Sequence, residues 1–191
     1  EYSDPEADDC PSHAVDEALK VSQLADGLRH LMQLKPRGRI LFIRQRSRDT
    51  AQPKQFFMCN PQAQALYGVA LKSYDDLTQV TINDGMPKMT DQPMAEVTQP
   101  LYLVCTNGNR DCRCWDFGQP VYAALRDAVG TSVWETTHIG GHKYAATLYV
   151  YPQAICYGRL TVDDVQPLVS AQECGELLVE KYRGRSQVAQ P

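Results

Sequence analysis

A chain of 191 residues with 43% apolar and 22% charged side chains is long enough to bury a sizeable core. That composition excludes bulk disorder, a fibre and a collagen-like repeat. Nineteen Lys and Arg against 23 Asp and Glu give a formal net charge of −4, which argues against a nucleic-acid partner.

Residues 1–12 read as a loose tail. Their acidic opening, Glu1 to Asp9, resembles no signal or transit peptide. From His13 to Leu34, Ala14, Ala18, Val21, Leu24, Leu28, Leu31 and Met32 recur at helical spacing, and Pro36 with Gly38 ends that helix. Ile40 to Ile43 reads as a buried strand. Around it stand Arg37, Arg39, Arg44, Arg46 and Arg48, the nearest approach to a basic stripe, read as a solvated strand edge. Phe56 to Met58 is a second strand, with Leu66 to Leu71 able to pair with it. Residues 73–99 are turn-rich, carrying Asn83-Asp84-Gly85, Pro87 and Pro93, and a soft boundary falls there.

Leu101 to Val104 is a short apolar strand. A loop follows, then a helix opened by Gly118-Gln119-Pro120 and stopped by Gly130. In this reading Gly118 permits the turn into the helix. Val133 to Thr137 is β-branched and aromatic, hence a strand. His138 to His142 form a loop. Thr147 to Tyr151 and Ile155 to Tyr157 make a hairpin around Pro152-Gln153. Thr161 caps a helix with acids in its first turn. Residues 173–183 read as a last short helix. From 101 the order is strand, helix, strand, strand, strand, helix, the βαββα arrangement of a thioredoxin-like sheet. No apolar run approaches the roughly 20 residues of a membrane span.

The seven cysteines are odd in number and unevenly spaced, unlike a secreted disulfide framework. They fit a reducing cytoplasmic setting. Three lie between Cys105 and Cys114, and two of the four histidines lie in His138-Ile139-Gly140-Gly141-His142. Gly140 and Gly141 disfavour a helix by about 1 kcal/mol each, so the His pair sits on a tight loop. Both motifs follow strands of one sheet and so can meet at one end of it. Three uses compete. Zinc takes two Cys and two His, but its cysteines usually stand two to four residues apart. Disulfide redox chemistry favours a C-x-x-C spacing, which is absent. A [2Fe-2S] cluster offers two separate irons and accepts a Cys pair on one and a His pair on the other.

The run C-T-N-G-N-R-D-C-R-C-W-D-F-G-Q-P-V at 105–121, with V-W-E-T-T-H-I-G-G-H-K-Y-A-A-T at 133–147, resembles the sucrase/ferredoxin-like family. Its members include thioredoxin-like ferredoxin domains and the yeast actin-patches-distal protein. The resemblance implies an α/β thioredoxin-like ferredoxin fold with an N-terminal α/β extension. It also implies a [2Fe-2S] cluster held by Cys105, Cys114, His138 and His142. Two departures stand out: many members have adjacent cysteines where this chain has Arg113-Cys114, which makes Cys112 an alternative ligand, and Asn107 replaces a common His. The expected layout is an N-terminal half at 1–98 that packs on or extends the sheet, a core at 99–172, and a C-terminal helix and tail at 173–191.

The ligands set the chemistry. Replacing two thiolates by neutral imidazoles takes the formal charge of the oxidised core from about −2 to about 0, which raises the reduction potential. Each imidazole keeps a second nitrogen whose proton can follow the iron oxidation state, so the potential should depend on pH. The expected partner is a redox protein, with neither nucleic acid nor membrane. Arg110, Arg113 and Lys143 could guide an acidic one. A second catalytic centre is not visible, so a carrier or redox sensor without its own substrate is expected. The remaining groups have plainer readings: His13 and His30 on the surface, Cys59, Cys156 and Cys174 as small buried hydrophobes, Cys10 as an exposed tail thiol. Trp115, Phe117 and Trp134 read as core.

Overall fold

The computed structural model describes residues 18–34, 38–45, 53–84, 86–109 and 111–185. Cys10, His13, Arg37, Arg46, Arg48 and Arg110 lie outside them. Helix α1 (Ser22–Leu34) follows the apolar spacing and buries Ala25, Leu28 and Leu31. The expected strand at 40–43 shrinks to β1 (Ile43–Arg44), the two residues in register with Thr136 and Glu135, while Phe42 bonds Thr137 just outside the ladder. Strands β2 (Lys54–Asn60) and β3 (Ala65–Leu71) pair antiparallel from Lys54 opposite Leu71 to Asn60 opposite Ala65. The turn-rich stretch holds a hairpin, β4 (Val80–Asn83) with β5 (Met86–Met89). Strand β6 (Ala95–Glu96) then adds to β3.

The second half builds the main sheet. Strand β7 (Leu101–Cys105) is buried along its whole length. Helix α2 (Cys112–Val129) crosses over to β8 (Val133–Thr136), which lies parallel to β7. Strands β9 (Leu148–Tyr151) and β10 (Ile155–Tyr157) form the hairpin, with β9 antiparallel to β7. Helix α3 (Val165–Glu173) follows, and β11 (Tyr182–Arg185) closes the far edge on β10. The six-stranded order β1-β8-β7-β9-β10-β11 contains the thioredoxin-like core β8-β7-β9-β10, with α2 as the crossover. The fold is mixed α/β, as expected.

Alternation along the strands splits the core. Tyr102 and Val104 of β7 face α2 and α3, where they meet Val121, Leu125, Val165 and Leu168. Leu101, Leu103 and Cys105 face the other way, with Trp134 and Tyr149, and are covered by Leu66 and Phe57 of the small sheet. That second layer lies over the cysteine side of β7.

Two further elements differ from the sequence reading. Helix α2 begins at Cys112, six residues before Gly118, because Asp111 caps it. Pro120 lies inside the helix, where it removes one N–H but leaves the turn before it intact. At the C-terminus the separate short helix expected at 173–183 does not form: α3 ends at Glu173, and only a single turn, Val179–Lys181, precedes a strand. Gly175 takes φ +71, a left-handed stop, and the open edge of β10 captures Tyr182–Arg185 as a strand.

Candidate metal centre

The site is built at the carboxyl ends of two parallel strands. Cys105 is the last residue of β7, and His138 stands two residues past β8. Cys114 lies in the first turn of α2, and His142 opens a short turn, His142–Tyr144. Local chemistry fixes each. Asp111 holds extended backbone (φ −153), and its carboxylate accepts the Arg113 N–H at 2.9 Å. The Cys114 N–H bonds the Asp111 carbonyl at 3.0 Å, which starts the helix. Gly118 is buried against β7, and a Cβ there would overlap the Cys105 carbonyl oxygen. Its role is close approach of α2 to β7, correcting the turn assigned to it. Gly140 (φ +88) and Gly141 (φ +67) take left-handed backbone that reverses the chain between the histidines.

The structure brings three of the four expected residues together. The His138 Nδ1 lies 3.8 Å from Cys105 Sγ and 3.5 Å from Cys114 Sγ. The ligand atoms of Cys105, Cys114 and His138 all fall within 4.8 Å of one another, and all three residues are buried. His142 stands beside this group. Its ring centroid is 5.7 Å from that of His138, and its Nε2 lies 3.9 Å from Asp111 Oδ2. Its side chain keeps 18% exposure, whereas the whole of His138 keeps 2%.

Electrostatics favour the thiolate. The Cys105 thiol is held well below its ordinary range by its hydrogen bond with Cys114, against the opposing cost of burial; His138 and the Asn107 backbone N–H assist. Asn107 thus acts through its backbone, which any residue there supplies. Cys114 sits at the positive end of α2, which also favours a negative sulfur. Asp111 is held far below the usual carboxylate range, first by its hydrogen bond from Arg113.

The other singled-out residues separate cleanly. Cys112, though next to the site, is exposed and lies outside the three-residue group. Cys59 and Cys156 are half-buried, with burial pushing their thiols up to about 12 and about 11. Cys174 is exposed, because it follows the last turn of α3, and so is not a core residue. Trp134 packs in the core, but Trp115 and Phe117 are 43% and 53% exposed on the outer side of α2, which corrects their reading as core. His30 is half-buried, its Nε2 2.7 Å from the Val80 carbonyl. Arg113 pairs with Asp111 at 2.8 Å. Sequence reasoning missed Asp111, the residue that both caps α2 and faces His142. The cap signal was present, an Asp directly before the helix, but Gly118 and Pro120 drew the helix start downstream. It also missed the buried Glu135 of β8, held by Arg44 Nε at 2.9 Å and by the Gln119 amide.

Fold and site together define a thioredoxin-like α/β protein whose strand ends carry a buried thiol–imidazole group able to bind a metal. The chain belongs to the sucrase/ferredoxin-like family, whose model matches residues 5–184. Among curated proteins it is similar to altered inheritance of mitochondria protein 32 of Meyerozyma guilliermondii, 34% identical over 101 residues, 47% of this chain and 36% of the relative. The protein of that name from Debaryomyces hansenii is 28% identical over 123 residues, 58% of this chain and 45% of the relative. The matches therefore span less than half of each relative's length. Among solved structures, a thioredoxin-like [2Fe-2S] ferredoxin from Aquifex aeolicus aligns with TM-score 0.44 and 15% identity, covering 48% of this chain and 96% of that one. A second structure of that ferredoxin, at 1.5 Å, aligns with TM-score 0.40 and 16% identity, covering 47% and 100%. The fold assignment rests on the strand order itself. Among the described residues no helix is long and apolar enough to cross a membrane.

Proposed function

We propose that the protein transfers single electrons through a [2Fe-2S] cluster held by Cys105, Cys114, His138 and His142. One observation carries this reading: two sulfurs and the His138 Nδ1 face one another in a buried group, with the His142 ring 5.7 Å from that of His138. The donor set fits the group, since mixed thiolate and imidazole ligation is an established mode for such clusters. Bound there, the cluster would supply reversible one-electron chemistry.

The chain's own residues do the rest. Gly118 lets α2 bring Cys114 against Cys105, and the lowered Cys105 thiol presents the ligating form. Trp134 and Leu103 pack beside the cysteines and limit water on the core side. His142, the partly exposed member, marks the side from which electrons enter and leave. Its Nε2 lies 3.9 Å from the Asp111 carboxylate, and each ligating imidazole would keep a second nitrogen able to carry a proton. Electron transfer is therefore proton-coupled, and the reduction potential should fall between about pH 6 and pH 10. The partner is a redox protein, and the compartment a reducing cytoplasmic one that keeps the thiols free.

A zinc site is the second reading, favoured by three ligand atoms close enough to share a single ion. The test is anaerobic purification with visible absorption, iron and sulfide analysis, and EPR after dithionite. A red-brown protein with a Rieske-like signal, altered by His138→Cys and His142→Cys, is expected. A colourless protein carrying one equivalent of zinc would overturn electron transfer. A colourless metal-free protein that also resists anaerobic iron–sulfide reconstitution would leave thiol chemistry.

A further inference from the structure

Beside the proposed centre lies a compact set of cations gathered on one ring. Tyr144 ends the turn that begins with His142. The Lys143 ammonium lies 5.6 Å from its ring centroid, and the guanidinium carbons of Arg159 and Arg183 lie at 5.0 and 4.9 Å. Three separate devices place them. Lys143 is on the turn itself. Arg159 adopts φ +57, left-handed backbone that costs a non-glycine residue energy. It is pinned there by its N–H to the Tyr144 carbonyl at 2.7 Å, and by Lys181 Nζ to its own carbonyl at 2.8 Å. Arg183 is the extra residue of a β-bulge on β11, since Cys156 pairs with Gly184 and Tyr157 with Tyr182. Bulges re-aim side chains, and this one turns Arg183 onto Tyr144.

Nothing within the described residues neutralises the two arginines. Lys181 is paired with Asp164 at 2.8 Å, whereas no carboxylate of the described residues comes within ion-pair distance of Arg159 or Arg183. The Arg183 Nε is buried and lacks a hydrogen-bond partner. A local excess of positive charge on a chain of net charge −4 is a feature with a direction.

We propose that the Tyr144 face, with Lys143, Arg159 and Arg183, is the docking surface for an acidic one-electron redox protein that exchanges its electron beside His142. The proposal rests on the electron-transfer reading above. In the exchange one electron leaves the reduced partner and is taken up at the centre, and no atom is transferred between them. The chemistry of the surface selects the occupant. Guanidinium forks match carboxylates in two-point hydrogen bonds. Lipid-binding clusters gather about four to eight basic residues, and DNA binders make about six to ten phosphate contacts. Three cations on an acidic molecule suit a small carboxylate patch instead.

Two measurements on the full chain test this. The first mixes reduced, cluster-loaded protein with the cobalt(III)–EDTA anion or the hexaammineruthenium(III) cation, at about 10 and about 300 mM salt. If the Tyr144 face governs approach, salt slows the anion's reaction, and R159Q/R183Q slows it about threefold or more at low salt. The matched change K54Q/K88Q, on exposed residues of the other sheets, leaves the rate unaltered. If the net charge governs instead, salt speeds the anion's reaction, the double variant changes nothing, and the proposal fails. The second measures binding of labelled hexaglutamate, whatever metal the protein holds. Binding lost in R159Q/R183Q supports the surface even in a colourless protein, where the electron-transfer reading would fail by itself. Binding to phosphatidylglycerol vesicles but not to hexaglutamate would overturn the acidic-protein partner in favour of a membrane.

Discussion

At the residue scale, the site depends on one absent side chain. Gly118 sits where α2 crosses the end of β7, and a Cβ would meet the Cys105 carbonyl oxygen. A backbone carbonyl in a fully paired strand cannot rotate away. Gly118→Ala gains up to about 1 kcal/mol of helix propensity but overpacks the contact by about 1–3 kcal/mol. We expect a net loss of about 1–2 kcal/mol, a fall of about 2–8 °C in Tm, with reduced metal content. An unchanged Tm would refute the close-packing role. The thiols make a second residue-level prediction. Cys112 and Cys174 are exposed, whereas burial holds Cys59 up to about 12 and Cys156 up to about 11. Near pH 8, iodoacetamide should label Cys112 and Cys174 well before Cys59 and Cys156, as read by peptide mass mapping. Early labelling of Cys59 or Cys156 would show those thiols open to solvent.

At the element scale, capping carboxylates decide where helices start. Asp164 accepts the Thr161 N–H at 2.7 Å and the Thr161 hydroxyl at 2.8 Å, and it pairs with Lys181 next to β11. It therefore ties the start of α3 to the last strand. Burial works against its charge, but Lys181 and Thr161 outweigh it and lower its pKa. A lowered folded pKa adds stability above the ordinary carboxylate value and loses it as pH falls through the folded value. The stability gap between the protein and Asp164→Asn should close below about pH 4, followed by urea unfolding. A gap of unchanged size at pH 2–3, below the ordinary carboxylate value, would exclude the charge as its cause. The same logic explains what could be read from the sequence. Patterned elements such as β2, β3, β7, β9 and β10 were legible, because their apolar residues repeat and turn residues bound them. The start of α2 was not, because a capping Asp is a weaker local signal than Gly-Gln-Pro. Strand β11 was not, because Leu177, Leu178, Val179 and Tyr182 suit a helical period, and only the free edge of β10 makes them otherwise. The Cys and His motifs were legible as a pair of strand-end loops. That His142 stands beside the three-residue group, facing Asp111, required the fold.

At the scale of the whole molecule, the two halves of the chain share structure instead of merely touching. The layer beside Cys105 and Cys114 joins Leu66, Phe57, Cys59 and Val97 from the first half to Leu101, Leu103, Trp134 and Tyr149 from the second. Strand β1 adds to β8, where Arg44 Nε meets the buried Glu135 at 2.9 Å and Gln119 holds the other carboxylate oxygen. Removing either half would expose an apolar face, and removing the first would also leave Glu135 short of a partner. The whole chain should therefore unfold in one transition, with tryptophan fluorescence and far-ultraviolet circular dichroism superimposing. Arg44→Gln tests the link. A hydrogen bond to a charged group contributes about 1.5–3 kcal/mol. Arg44 is 63% exposed and its share is screened, so about 1–2 kcal/mol is the expected cost. The urea midpoint should fall with the slope unchanged. Adding Glu135→Gln should recover part of the loss, because a neutral amide does not leave a charge buried without its cation. Two separate transitions, or a double variant weaker than the sum of the single changes, would mean that the halves fold independently and that β1 is only an accessory edge.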